Sequence, residues 1–276
     1  MSTEARRHLG ERARAWIDAS LDEFAIAVES EGVLSPAKRH GELATVAALL
    51  LDGGDNVRAQ AWLDLAWDRF GSGELLAREI QTQPALAAVY PAFRRHGYRS
   101  AELDGAVASV WDRVDDPTLR LLLACSVAGT EIAAPWPLDQ LVDDSIVGRE
   151  PPTWQVDDRT AYVISHVVLF LAPTRTLGER HRRYIARSLP AWLGRFAVAG
   201  YLDLVGEMVM VAHALGECVP DSEWQVLVDA QEPDGLMPFR AAWRGREVPA
   251  RLRFIANYHS TLIAYAAAAM CAAHGA

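Results

Sequence analysis

Apolar positions recur every three to four residues along nearly the whole chain, and the strict alternation of a half-buried strand is almost absent. The spacing predicts a first helix over 4–30, with Trp16 and Phe24 on one face. Ser35 and Pro36 supply an N-cap and an N1 proline for a helix through Leu51, which Asp52-Gly53-Gly54 ends. Further helical runs are expected at 55–70, 74–82, 85–96, 101–113, 117–128 and 137–144. Residues 147–158 are rich in Pro, Gly and charge and read as a long loop or linker. The chain is therefore expected to be one helical domain over 1–276, with a subdivision into 1–146 and 159–276 as the other option. Beyond the loop come runs at 159–172, 177–188, 189–199, 201–215, 221–231 and 254–273, punctuated by Pro173, Gly178, Pro190, Gly200, Gly216 and Pro220.

Neighbours in such a series pack as antiparallel helix pairs. The expected fold class is all-α, with the pairs arrayed as an α/α toroid of inner and outer helices. An irregular bundle or solenoid is the alternative. The stretch Trp224-Gln225-Val226-Leu227, then Gln231-Glu232-Pro233-Asp234-Gly235, resembles the Gln-x-x-Asp-Gly repeat of terpene-cyclase and prenyltransferase toroids. In that family the Asp-Gly turn joins an outer helix to the next inner one, and the glycine takes a conformation costly to other residues. The match occurs once, and the Asp-x-Asp-Asp-type acid motifs of true terpene cyclases are missing, so it speaks for fold rather than chemistry.

Composition narrows the classes. The 36 acidic residues outnumber the 27 basic ones for a net charge of −9, which leaves no chain-wide basic field for nucleic acid. Cys125, Cys218 and Cys271 are widely spaced, against a disulfide framework or a structural zinc knuckle. The charged N-terminus has no apolar signal core, so a cytoplasmic protein is expected. No charged side chain occurs from Phe254 to Ala276, but Asn257, Tyr258, His259, Ser260 and Thr261 and the many alanines read as a buried core helix rather than a membrane span.

Three C-terminal helices carry polar groups inside apolar runs: Tyr162, Ser165 and His166; Asp203 and Glu207; Tyr258 and His259. A buried carboxylate or imidazole needs a partner or a polar cavity. Asp203 and Glu207 are four residues apart on one helix face, so their repulsion should raise one pKa and suit an acid or base. His166, Glu207 and His259 follow at intervals near one helical-pair repeat, which would aim them at one central cavity. Their spacing fits no tight metal motif such as His-Glu-x-x-His, and no Walker or dinucleotide glycine loop is present, so neither metal nor cofactor is expected. Arginines cluster at Arg180–Arg187 and at Arg240, Arg244, Arg246, Arg251 and Arg253, the second group suited to carboxylate, sulfate or phosphate. Lys38 is the chain's one lysine and stands four residues before Glu42. A compact ammonium where guanidinium is the rule hints at a dedicated charge.

Lys38 with Glu42, Tyr162 with Ser165-His166, Asp203 with Glu207, Gln231–Gly235 and Tyr258-His259-Ser260-Thr261 together resemble an uncharacterised family of helical actinobacterial proteins. There the first histidine is usually preceded by Thr and followed by Thr-Asp-Phe-Gly; here Ser165 takes the Thr place and Leu171-Ala172-Pro173-Thr174 lacks the Asp. Such proteins resemble tailoring components of antibiotic gene clusters, among them the aziridine-forming cyclases of azinomycin-type biosynthesis. That resemblance implies ring closure as an amine displaces sulfate, on an amino acid held by an acidic amino-group carrier protein. The reading that follows is a small-molecule cyclase or lyase expelling an anionic group. Glu207 or Asp203 would be the base, and His166 and His259 would orient the substrate or protonate the leaving oxygen. Lys38, Glu42, Tyr162, Tyr258, Asp234 and Arg240 would bind substrate, and Arg244, Arg246 and Arg251 would dock the carrier. A non-catalytic scaffold for a partner protein and a metal-dependent hydrolase are the alternatives.

Overall fold

The start of the second helix shows how local signals set the architecture. Ser35 accepts a hydrogen bond from the Lys38 amide at 3.3 Å, Pro36 fills the first helical position, and Gly54 closes the far end with a left-handed backbone. In the computed structural model, which describes residues 3–25, 35–54 and 56–272, fourteen α-helices form among the described residues. They are α1 (Thr3–Ala19), α2 (Pro36–Gly53), α3 (Asn56–Arg69), α4 (Glu74–Thr82), α5 (Tyr90–Arg95), α6 (Ala101–Val110) and α7 (Pro117–Val127). Then follow α8 (Leu138–Asp144), α9 (Ile146–Arg149), α10 (Asp158–Leu171), α11 (Glu179–Ala199), α12 (Leu202–Leu215), α13 (Asp221–Ala230) and α14 (Ala250–Ala272). No strand occurs among the described residues; the one isolated bridge joins Tyr201 to Arg240. The fold is all-α.

Several boundaries differ from those the periodicity predicts. The first helix stops at Ala19, and a 3-10 turn over Leu21–Ala25 carries Phe24 into the core; residues 26–30 of the expected helix lie outside the described residues. The expected helix over 85–96 divides into a 3-10 turn, Pro84–Val89, and α5. The two runs flanking Pro190 merge into α11. Pro190 lies on the exposed face, where water can take the place of the missing N–H donor. The 147–158 segment holds α9 and a 3-10 turn at Thr153–Gln155, and it is tied to α11 by the Tyr184 hydroxyl on the Pro151 carbonyl at 2.7 Å.

One circuit of packed neighbours positions the site. α2 packs on α14, α14 on α12, α12 on α10, α10 on α7, α7 on the Pro84–Val89 turn, and that turn back on α2. Outside this circuit α1 lies on α14, α3 on α2, α11 and α13 on α12, and α8 on α7. The uncharged run of α14 is explained by its three neighbours, α1, α2 and α12. Among the described residues no helix is long and apolar enough to cross a membrane. Gly206 sets the closeness of α12 to α14, because a Cβ there would stand 2.6 Å from Ile263 Cγ2. The Gln231–Gly235 turn fastens α13 to α1. The Gln231 amide donates to the Leu9 and Gly235 carbonyls, both at 3.0 Å, and Gly235 sits at φ +97° with the Arg12 carbonyl where a Cβ would go.

Candidate functional site

Four ring helices bring five ionisable side chains together. Glu42 of α2 accepts from Lys38 Nζ at 3.3 Å through one oxygen and from His259 Nδ1 at 3.3 Å through the other. On its other side, His259 Nε2 donates to Glu207 of the adjacent α12 at 3.4 Å. The second Glu207 oxygen takes the Ser165 hydroxyl of α10 and stands 4.0 Å from His166 Nδ1. The 41- and 52-residue intervals between His166, Glu207 and His259 thus do converge on one place.

Charge settles how each group ionises. Burial works against the charged form of Glu42, but the His259 charge and hydrogen bond, Lys38 and a Tyr258 hydrogen bond outweigh it and hold the carboxyl at about 2. Burial likewise works against a charged His259, but Glu42 and Glu207 overcome it and lift the imidazole to about 10. Glu207 is buried too, yet His259, His166 and Ser165 hold it below the usual carboxylate range. Repulsion between Asp203 and Glu207 therefore leaves Asp203, not Glu207, as the raised partner. Burial is the main cause, with the Glu207 charge adding to it and the Tyr162 hydroxyl opposing. His259 is a locked cation with both ring nitrogens donating.

His166 differs. Its Nδ1 lies 2.6 Å from the Tyr162 carbonyl, so in its neutral form the proton sits there and Nε2 carries the lone pair. Its side chain is 40% exposed and lines a cavity of about 300 Å³ inside the ring, together with Lys38, Glu42, Glu207 and His259. Every other wall is mainly apolar, including Leu122 of α7, Phe170 of α10 and Met210 of α12.

The remaining expected site residues lie elsewhere. Tyr162 donates to Asp203, and neither is among the residues that line the cavity. Tyr258 supports Glu42 from the core side, stacked on Phe254. Asp234 pairs with Arg253 at 2.7 Å and accepts from the Leu236 amide, which makes it a turn residue. The Arg240 guanidinium lies over the Tyr201 ring at 3.0 Å, outside the cavity lining. Arg244 and Arg246 are exposed on the Ala241–Ala250 segment, and Arg251 reaches Glu23 at 3.3 Å. Among the described residues no group of three or more His, Cys, Asp and Glu is arranged to hold a metal ion. Sequence reasoning missed the contribution of α7 and the Pro84–Val89 turn, whose cavity residues are ordinary apolar ones. It also missed that Glu42 and His259 are partners, although both stood out singly.

The chain belongs to the family described as a domain of unknown function (DUF6895), which it matches over residues 10–269. No curated protein is significantly similar to it. No solved structure is significantly similar to it either.

Proposed function

We propose that this chain is a small-molecule cyclase or lyase, acting in the cytoplasm, that expels an anionic group by intramolecular displacement or elimination inside an α/α toroid-like ring. The observation that carries this reading is the cavity of about 300 Å³ whose lining holds both Lys38 and His166, joined through the Glu42–His259–Glu207 relay. In the displacement, a substrate amine attacks the carbon bearing a sulfate or phosphate ester. The N–C bond forms, the C–O bond breaks, and the electron pair leaves on the ester oxygen toward the Lys38 ammonium. The amine proton passes to His166 Nε2, and the Glu207 carboxylate 4.0 Å away stabilises the imidazolium. Glu207 is then a positioning residue rather than the base, and His259 is the cation that keeps it ionised. In its sharpest form the reaction closes an aziridine with loss of sulfate on an amino acid tethered to an acidic carrier, with exposed Arg244 and Arg246 as docking charges.

A scaffold would fill the ring with side chains, and the cavity speaks against it. A metal-dependent hydrolase would need His259 as a ligand, whereas its two nitrogens already donate to carboxylates. The test is release of inorganic sulfate or phosphate from 2-aminoalkyl sulfates and phosphates. The wild type is expected to accelerate release, and His166→Ala and Lys38→Met to lower kcat/KM about 100-fold or more with the helical circular dichroism intact. A wild-type rate equal to buffer, or folded variants at the parent rate, would sink the proposal.

A further inference from the structure

Most of the described residues that line the cavity are apolar; besides the charged cluster only Thr45 and Gln83 among them are polar. Val46 and Leu49 of α2, Leu122 of α7, Phe170 of α10, Met210 of α12 and Ile263 of α14 supply apolar walls. Leu49 follows Glu42 by seven residues on the same helix, about 10 Å along the axis. The apolar wall at Leu49 is therefore out of hydrogen-bond reach of Glu42. Water is poorly held in such a place, because each molecule needs two to four polar partners. A volume of about 300 Å³ is at the small end of ligand pockets and takes roughly ten water-sized groups.

Counting donors and acceptors fixes the head of the occupant. Both Glu42 oxygens are engaged, by Lys38 and His259, and both Glu207 oxygens, by His259 and Ser165. The charges of Glu42 and Glu207 are already balanced by Lys38 and His259, and Glu207 is almost sealed from the cavity, so the carboxylates offer a cationic ligand little. Lys38, in contrast, has three donors, and among the described residues Glu42 is its one ionic partner; its side chain is 36% exposed. His166 Nε2 is the matching open acceptor. The complementary head has an anionic group for Lys38 and an N–H or O–H for His166.

We propose that the cavity binds a small amphiphile of about ten non-hydrogen atoms, with an anionic, protic head at Lys38 and His166 and a hydrocarbon tail running toward Leu49. The inference rests on the proposed reaction for the fate of the head; the tail is argued from the apolar walls alone. Leu49 and Val46 gauge tail length. Each methylene buried adds about 0.8 kcal/mol, or roughly fourfold in affinity, until the tail meets the end of the cavity.

Calorimetric titration of the full chain with n-alkyl sulfates from methyl to octyl tests this. One site per chain is expected, with Kd falling about threefold to fourfold per methylene to an optimum and rising beyond it. Leu49→Val should move the optimum to a longer tail and Val46→Phe to a shorter one, both checked for folding by thermal melting. Lys38→Met should weaken every length alike and leave the optimum in place. Affinity independent of length, non-saturating binding, or an optimum unmoved in both folded Leu49 and Val46 variants would overturn the proposal. A chain-length optimum without ester cleavage in the 2-amino analogues would refute the reaction and leave the amphiphile standing. Cleavage indifferent to tail length would do the reverse.

Discussion

His259 is an imidazole in a helix largely buried among apolar side chains, and its two carboxylate partners make it a cation. Its folded pKa lies above the ordinary 6.5, at about 10, so the stability it lends is full below 6.5 and is lost as pH rises through 10. Glu42 is the mirror case. Its contribution is full above 4.5 and is lost as pH falls toward 2. The urea-midpoint advantage of the wild type over His259→Asn should therefore be greatest between 4.5 and 6.5 and shrink on either side. An advantage that stays flat up to about pH 10 would contradict the charged assignment. At this scale the sequence was partly legible. A histidine and a glutamate inside apolar runs announce an unmet electrostatic need, so His166, Glu207, His259 and Lys38 could be picked out. Which carboxyl is raised could not, because the answer depends on His259 and Ser165 reaching Glu207 while Tyr162 goes to Asp203.

Among the elements, ends with local chemistry were readable and ends set by tertiary packing were not. Ser35-Pro36 and Gly54 bound α2 where their cap geometry dictates, since capping is decided within a few residues. Pro190 looked like a break, but its missing donor faces outward and α11 runs through it. The spacing of α12 and α14 is set by a contact no local pattern reveals, Gly206 against Ile263. Gly206→Val should push these helices apart, cost about 1–3 kcal/mol by overpacking, and lengthen the Glu207–His259 contact. Chemical denaturation measures the first effect, and a downward shift of the His259 titration measures the second. A variant as stable as the wild type with an unshifted imidazole would show that the close approach does not hold the pair.

In the whole molecule, the site exists only because distant segments close a ring. Glu42 and His259 meet across 217 residues, and the cavity draws on both sides of the 147–158 segment. α1 and α2 both pack on α14, so the two halves interleave. Helical periodicity marks which face of each helix is buried but not which faces meet, and for that reason the α7 and Pro84–Val89 walls were invisible in the sequence. Two histidines line the cavity in opposite roles: His259 closed between carboxylates, and His166 open toward the cavity with its lone pair on Nε2. Imidazole ¹H–¹⁵N correlation spectra of the full chain, assigned with His166→Ala and His259→Asn, test that division most directly. The account predicts a doubly protonated His259 through neutral and mildly alkaline pH, and a neutral form of His166 that carries its proton on Nδ1. A neutral His259 at pH about 8, or a His166 protonated on Nε2 when neutral, would contradict it.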